Sequence, residues 1–390
     1  MRIDLHHVRA QTPGTHHVTH LNNAGAALPP QVVVDTVIDH LKLEAIAGGY
    51  EAAAQSAEAV EAVYDSLASL IGSSRNEIAQ LESASAAWNA AFAAIPFRAG
   101  DRILTARSEY PSNAVNLLIA TERYGAEIVL IDDDEHGQVS VEALREAIDE
   151  RTKLIAITHI ATSGGMVNPV ADVGKVANDT GVLFLLDACQ SVGQVTIDVA
   201  AIGCDLLSAA GRKFLRGPRG TGFLYVREGV VDQLRPPLLD TRSSEWTSPT
   251  SYEIAAGPRR FEAFEHSVAG RLGLGVAVRY ANSVGMALIE ERTAQLAALL
   301  REQLAALPRV AVHDKGLRRC GIVTFGVDHV PAAQVHAALN AAKINTSITS
   351  AAMAMYDFPQ RGLDQLVRAS PHYYNTEAEL GLLVDVVAAL

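Results

Sequence analysis

The sequence predicts an α/β protein: a large domain whose helices cover both faces of a mostly parallel sheet, plus a smaller α+β layer toward the C-terminus. Three observations carry this. Residues 182–186, VLFLL, are an unbroken apolar run, as a strand buried on both faces requires, and the run stops abruptly at Asp187. Upstream of it, strand-like and helix-like segments alternate at the spacing of βαβ units. Past residue 261 the alternation gives way to two long helical stretches and then to short strands and helices.

Taken in order, LNNAGAALPP (residues 21–30) reads as a loop, and Pro30 opens a helix with apolar Val33, Val37, Ile38 and Leu41. Gly48-Gly49-Tyr50 interrupts it, and an alanine-rich helix follows over 51–70. Helices are predicted at 85–95, 113–124, 140–148 and 169–180, and strands at 102–105, 127–131 and 154–158. Ser140 is placed to cap its helix, and Asp172 suits a first turn. After the strand at 182–186, a second apolar run at 206–210 ends in Gly211-Arg212-Lys213 and a glycine-punctuated loop. Prolines 236, 237, 249 and 258 then break up a polar segment, read as a long loop bordering the substrate mouth. The region 269–307 reads as two helices. Strands at 320–328, 343–349 and 366–370 with helices at 331–342 and 376–390 complete the smaller layer. The domain reading is 20–260 for the large domain, with 1–19 and 261–390 forming the small one.

Composition narrows the function. At 390 residues, 49% hydrophobic and 19% charged, the chain reads as globular with two packed domains. A formal charge of −12 argues against nucleic acid. The short basic cluster Arg212, Lys213, Arg216 and Arg219 reads instead as a site for one small anion. Neither a leader nor a membrane span is read from the sequence, and the cytoplasm is the expected location. Cys189, Cys204 and Cys320 are too widely spaced for a disulfide framework or a zinc site. The histidines crowding residues 6–20 lack accompanying ligands, so no metal is expected.

The chemistry concentrates at two strand mouths. An acid, Asp187, and an amine, Lys213, each follow an apolar run, and the carboxyl ends of strands are where open α/β sheets bind ligands. Pyridoxal phosphate needs such a pair: a lysine for a Schiff base and a carboxylate that keeps the ring nitrogen protonated. With DACQ (187–190), the lysine of GRK and GPRGTG (217–222) in this order, the sequence resembles the class V aminotransferase family of fold-type I pyridoxal phosphate enzymes. That group includes cysteine desulfurases, selenocysteine lyases, isopenicillin N epimerase-like proteins and ergothioneine-type C–S lyases. The resemblance runs from LNNAGAALPP to VRASPHYYNT (367–376).

The resemblance implies a seven-stranded sheet, a pyridoxal 5′-phosphate cofactor, Lys213 as the Schiff-base lysine and Asp187 at the ring nitrogen. It implies Gln190 at the cofactor's phenolic oxygen with Thr162 nearby, and Tyr110 over the ring. It places Ser83, Ala84 and Ser85 at the phosphate, where a helix N-terminus suits an anion, with Arg212 as an added cation. Arg368 corresponds to the arginine that grips a substrate carboxylate, a task suited to a guanidinium fork. Asn23 and Tyr50 are further substrate-side candidates. A homodimer acting on a small amino acid is implied.

Two departures bear on activity. Cysteine desulfurases carry a sulfur-accepting cysteine on a mobile loop, and the matching stretch SITSAAMAMYDFP (347–359) has none. Where the family often has Gly-Thr reaching the partner's phosphate, this chain reads Phe264-Glu265. The expectation is therefore a C–S β-lyase of thiol or secondary metabolism, cleaving a cysteine S-conjugate or its sulfoxide to pyruvate, ammonia and a thiol or sulfenate. An aminotransferase, an amino-acid epimerase and a decarboxylating or aldehyde-forming tailoring enzyme are the alternatives.

Overall fold

The computed structural model describes residues 3–390. Its main sheet has seven strands: β1 Ile78–Leu81, β2 Arg102–Ala106, β3 Glu127–Ile131, β4 Thr152–Thr158, β5 Leu183–Asp187, β6 Leu206–Ala210 and β7 Gly222–Val226. Their order across the sheet is β1-β7-β6-β5-β4-β2-β3. Five strands, β2 to β6, are mutually parallel, and β7 runs antiparallel to both β6 and β1. The reversal follows from the connection: 211–221 holds no crossover helix, so the chain can only turn back on itself. That turn carries Arg212 and Lys213.

The apolar runs are buried on both faces. Leu154, Ala156, Leu185, Leu206 and Leu224 join one core, and Ile155, Ile157, Phe184, Leu186, Leu207 and Phe223 join another on the opposite face. Period-two alternation divides each strand between two helical layers. Each fully buried Leu, Ile or Phe contributes about 1.5–3 kcal/mol.

A four-stranded antiparallel sheet forms the smaller layer, from β10 Val310–Val312, β11 Val323–Val327, β12 Ser347–Ser350 and β13 Gln365–Ala369 in the order β10-β11-β13-β12. Between the sheets, the helix Val268–Val284 puts Leu274, Val278 and Ala281 into the large core. The chain then bends 80° at Gly285, and the helix Met286–Ala305 puts Leu296, Leu300 and Leu304 into the small one. Near the start, Thr19–His20 pairs with Ile344–Asn345, and Leu21 packs in the small core while Val8 packs in the large one.

Three local departures from the sequence reading have evident causes. The helix predicted over 51–70 is two, Gly49–Gln55 and Ala57–Ile71, broken at Ser56, whose hydroxyl is bonded to His40 Nδ1 at 3.2 Å. β1 is short and carries Gln80 in its middle, which hides it from a periodicity search. The segment read as a loop over 236–258 contains a hairpin, β8 Ser244–Ser248 with β9 Ser251–Ile254. Among the described residues, no single helix is long and apolar enough to cross a membrane, and no cluster of His, Cys, Asp and Glu could hold a metal ion.

Candidate active site

The carboxyl ends of β4, β5 and β6 open onto a cleft lined by residues of 82–85, Tyr110, Asn113, Thr162, Asp187, Arg212 and Lys213. Asp187 ends β5 and is only 5% exposed. Its Oδ2 accepts from Asn113 Nδ2 at 2.8 Å and its Oδ1 from Cys189 N at 2.8 Å. Burial pushes this carboxyl above its ordinary range, opposed by those two hydrogen bonds and by the charge of Lys213. An acid so deep, held by neutral donors, is stabilised by a cation delivered into the cleft.

Lys213 follows β6 and is 6% exposed; of the six lysines in the sequence it alone is buried. Its Nζ stands 5.9 Å from the ring centroid of Tyr110. The turn that holds it packs against Gly193, whose φ is +93°. A Cβ at Gly193 would lie 2.3 Å from Leu215 N and from Phe214 C, so only glycine lets the two backbones touch.

An anion site faces these groups. Ser83 caps the helix Ala84–Ala93 by accepting from Ala86 N at 3.0 Å, and N–H groups of the first turn have no intrahelical partner. β7 passes so close that a Cβ on Gly222 would lie 2.5 Å from the Ser83 carbonyl carbon and 2.8 Å from Ala84 N. Arg212 also lines the cleft, with one guanidinium nitrogen donating to Gly25 O.

On the small-layer side, Arg368 of β13 donates from Nη1 to Thr162 O at 2.9 Å and to Thr162 Oγ1 at 3.0 Å, and from Nε to Ser347 Oγ at 3.0 Å. Gln190 Nε2 donates to the same Thr162 hydroxyl at 2.8 Å. Thr162 Oγ1 therefore accepts from both, leaving its own hydrogen to donate elsewhere. Burial draws Arg368 down to about 10, with Tyr110 acting to raise it and Arg212 to lower it.

The structure thus brings together Ser83, Ala84, Ser85, Tyr110, Thr162, Asp187, Gln190, Arg212, Lys213 and Arg368. Two expected residues do not join them within this chain. Asn23 is fully buried, but its amide donates to His20 O at 3.3 Å and Ser370 O at 2.7 Å while its oxygen accepts from Tyr374 OH, so it knits the 21–27 loop to the small layer. That loop reaches the site by backbone instead, through Ala24 O and Gly25 O. Tyr50 is 78% exposed, because the turn at Gly48 (φ +98°) presents it outward. The basic cluster also divides. Arg216, at φ +63°, buries its guanidinium against Tyr280, Tyr373 and Tyr374 and donates to Leu28 O, whereas Arg219 is exposed. No residue of the 236–258 segment lines the cleft. The sequence reading missed Glu109 and Asn113; their spacing of four at a helix start was the available signal.

A buried acid seeking a cation, a buried amine, an aromatic ring near that amine and a helix N-terminus for an anion together fit pyridoxal phosphate. The relatives agree. A probable cysteine desulfurase of Methanothermobacter thermautotrophicus is 29% identical over 97% of this chain and 96% of its own. The apo structure of a cysteine desulfurase from Thermococcus onnurineus NA1 superposes with a TM-score of 0.91 at 29% identity, covering 100% of this chain and 99% of that one. The cystine C–S lyase C-DES, solved with its product cysteine persulfide, shares the fold, with a TM-score of 0.87 at 20% identity over 97% of this chain and 99% of its own. Residues 19–383 match the Aminotransferase class-V profile, and the chain belongs to that family.

Proposed function

We propose that this protein is a pyridoxal 5′-phosphate enzyme that breaks the Cβ–S bond of a cysteine S-conjugate or its sulfoxide by β-elimination. Asp187, steadied by Asn113, would meet the ring-nitrogen end of the cofactor, the helix start at Ser83–Ser85 and Arg212 would hold the phosphate end, and the Tyr110 ring would pack against it. When bound, the cofactor supplies a sink for the electron pair left on Cα. Arg368, steadied by Thr162 and Ser347, takes the substrate carboxylate and so fixes which Cα bond faces Lys213. The Lys213 amine removes the Cα proton, and the charge on Asp187 favours the positively charged ring. The sulfur fragment departs from Cβ with the bonding pair, as thiolate or sulfenate, and the resulting enamine takes up water to give pyruvate and ammonia.

The observation that carries elimination over sulfur transfer is the lack of a cysteine on the loop where desulfurases carry their sulfur acceptor. The segment 347–359 contains no cysteine. Cys204 and Cys320 are buried in the core, and Cys189 lines the cleft beside Asp187, where burial raises its thiol and the charge of Lys213 opposes that rise. A panel of cysteine S-conjugates and sulfoxides, assayed for pyruvate without added keto acid, tests the proposal. Pyruvate in step with released thiol supports it. Turnover that requires a keto acid, or inversion at Cα with no carbon product, refutes it.

A second copy of the chain is part of the proposal. Val32, Ile38, Leu41 and Ile46 leave an apolar face exposed on the helix Gln31–Ala47, continued by Tyr50, as suits a twofold contact. Three unpaired thiols suit a reducing compartment, and a cytoplasmic location is proposed on that ground.

A further inference from the structure

A second carboxyl lies behind the cofactor site, and the proposed chemistry gives it no task. Glu109 sits between β2 and the helix Pro111–Tyr124 and is 5% exposed. Its Oε1 accepts from Tyr110 N at 2.7 Å, Asn113 Nδ2 at 2.8 Å and Thr158 Oγ1 at 2.5 Å, and its Oε2 from Thr105 Oγ1 at 3.0 Å. The donors come from the ends of β2 and β4 and from the helix between them. Asn113 Nδ2 also donates to Asp187 Oδ2, at 2.8 Å. An amide nitrogen carries two hydrogens, and here each goes to a different carboxyl group. Asn113 cannot turn without losing both.

We infer that Glu109 is a positioning residue: it locks Asn113 and thereby the Asp187 carboxylate, and through the Tyr110 backbone it also sets the aromatic ring. This rests on the reading that Asp187 meets the ring nitrogen of the cofactor. The charged and titratable groups bearing on Glu109 are Asp187, joined to it through Asn113, and Tyr356, whose hydroxyl feels its charge. Burial, with the Asp187 charge adding to it, raises the Glu109 carboxyl to about 7. A group that only stitched strand ends together would need neither the bond to Asn113 nor a place one residue before Tyr110. Glutamine retains the shape but presents hydrogens to donors on one side, so the Asn113 link is weakened.

The test compares Glu109→Gln, Asn113→Ala, their double variant and Asp187→Asn. The readouts are the dissociation constant for pyridoxal 5′-phosphate and the pH at which the visible band of the bound cofactor changes. Loss of one charge-assisted hydrogen bond corresponds to about tenfold in affinity. Glu109→Gln is expected to weaken cofactor binding by about that factor and to move the band's transition in the same direction as Asp187→Asn. The double variant is expected to lose less affinity than the two single losses combined, since both changes cut the Asn113 link. If Glu109→Gln does not fold, Glu109→Asp, which keeps the charge but draws the carboxyl back from Asn113, carries the test with the same expected loss and the same refuting result. A folded Glu109→Gln with wild-type affinity and an unmoved band overturns the inference, as does strict additivity in the double variant. Should Asp187→Asn itself leave binding and band unchanged, the reading of Asp187 fails instead, which separates the two ideas.

Discussion

Gly193→Ala tests how tightly the Lys213 turn is built. At φ +93° an alanine is strained by roughly 1–2 kcal/mol. Its Cβ would also meet Phe214 C and Leu215 N at 2.3 Å, and both are backbone atoms of the residues that follow Lys213. Restoring an ordinary contact moves the turn by about 1 Å, a displacement able to cost about a hundredfold in rate when it shifts a reacting group. Forcing it costs a further 1–3 kcal/mol, roughly, in packing. The expected result is a fall in thermal midpoint together with about a hundredfold loss in kcat/KM on the best substrate, whereas an alanine on an exposed helix face does neither. The assay pairs thermal denaturation with steady-state kinetics. A Gly193→Ala enzyme with unchanged midpoint and turnover would show that the lysine turn is not held by this contact, and the positional argument for Lys213 would fall with it.

Arg368→Ala is expected to raise KM for substrates with an α-carboxylate roughly 10- to 100-fold, as loss of a bidentate charged contact implies, with cofactor affinity little changed; weakened cofactor binding at unaltered KM would reverse the assignment. Glu109 gives a pH signature in the cofactor-free protein. Its carboxyl rises from 4.5 to about 7 on folding, so the folded chain keeps a proton that the unfolded chain has lost. The contribution is complete below pH 4.5 and is lost as pH rises through 7, a swing of about 3 kcal/mol. Urea titrations should therefore show the stability of wild type relative to Glu109→Gln falling by about that amount across this window; a difference that stays flat with pH contradicts the burial argument.

What could be read from the sequence follows physical lines. Strands buried on both faces announce themselves as apolar runs, and those at 183–187 and 206–210 lie within a residue of their predicted places. Pro30 and Ser140 likewise marked helix starts, each standing immediately before its helix. Asp187 and Lys213 were legible because each ends an apolar run, so topology alone carries them to one sheet edge. Glu109 was not, since its role depends on donors from three elements that meet only in the fold. Asn23 and Tyr50 lie apart from the cleft within this chain for a related reason: a polar loop residue can satisfy a neighbouring backbone as readily as a ligand, and the turn at Gly48 decides which way Tyr50 faces. Arg216 reads as one more cation beside Lys213, yet its left-handed backbone turns it into a tyrosine cage.

Reduction of the pyridoxal 5′-phosphate-loaded protein with borohydride, followed by peptide mass spectrometry, is the most direct measurement. A pyridoxyl group fixed on Lys213, and on none of Lys42, Lys153, Lys175, Lys315 and Lys343, is the predicted result. A label on one of those five instead, or a protein that binds the cofactor without covalent attachment, would contradict the site.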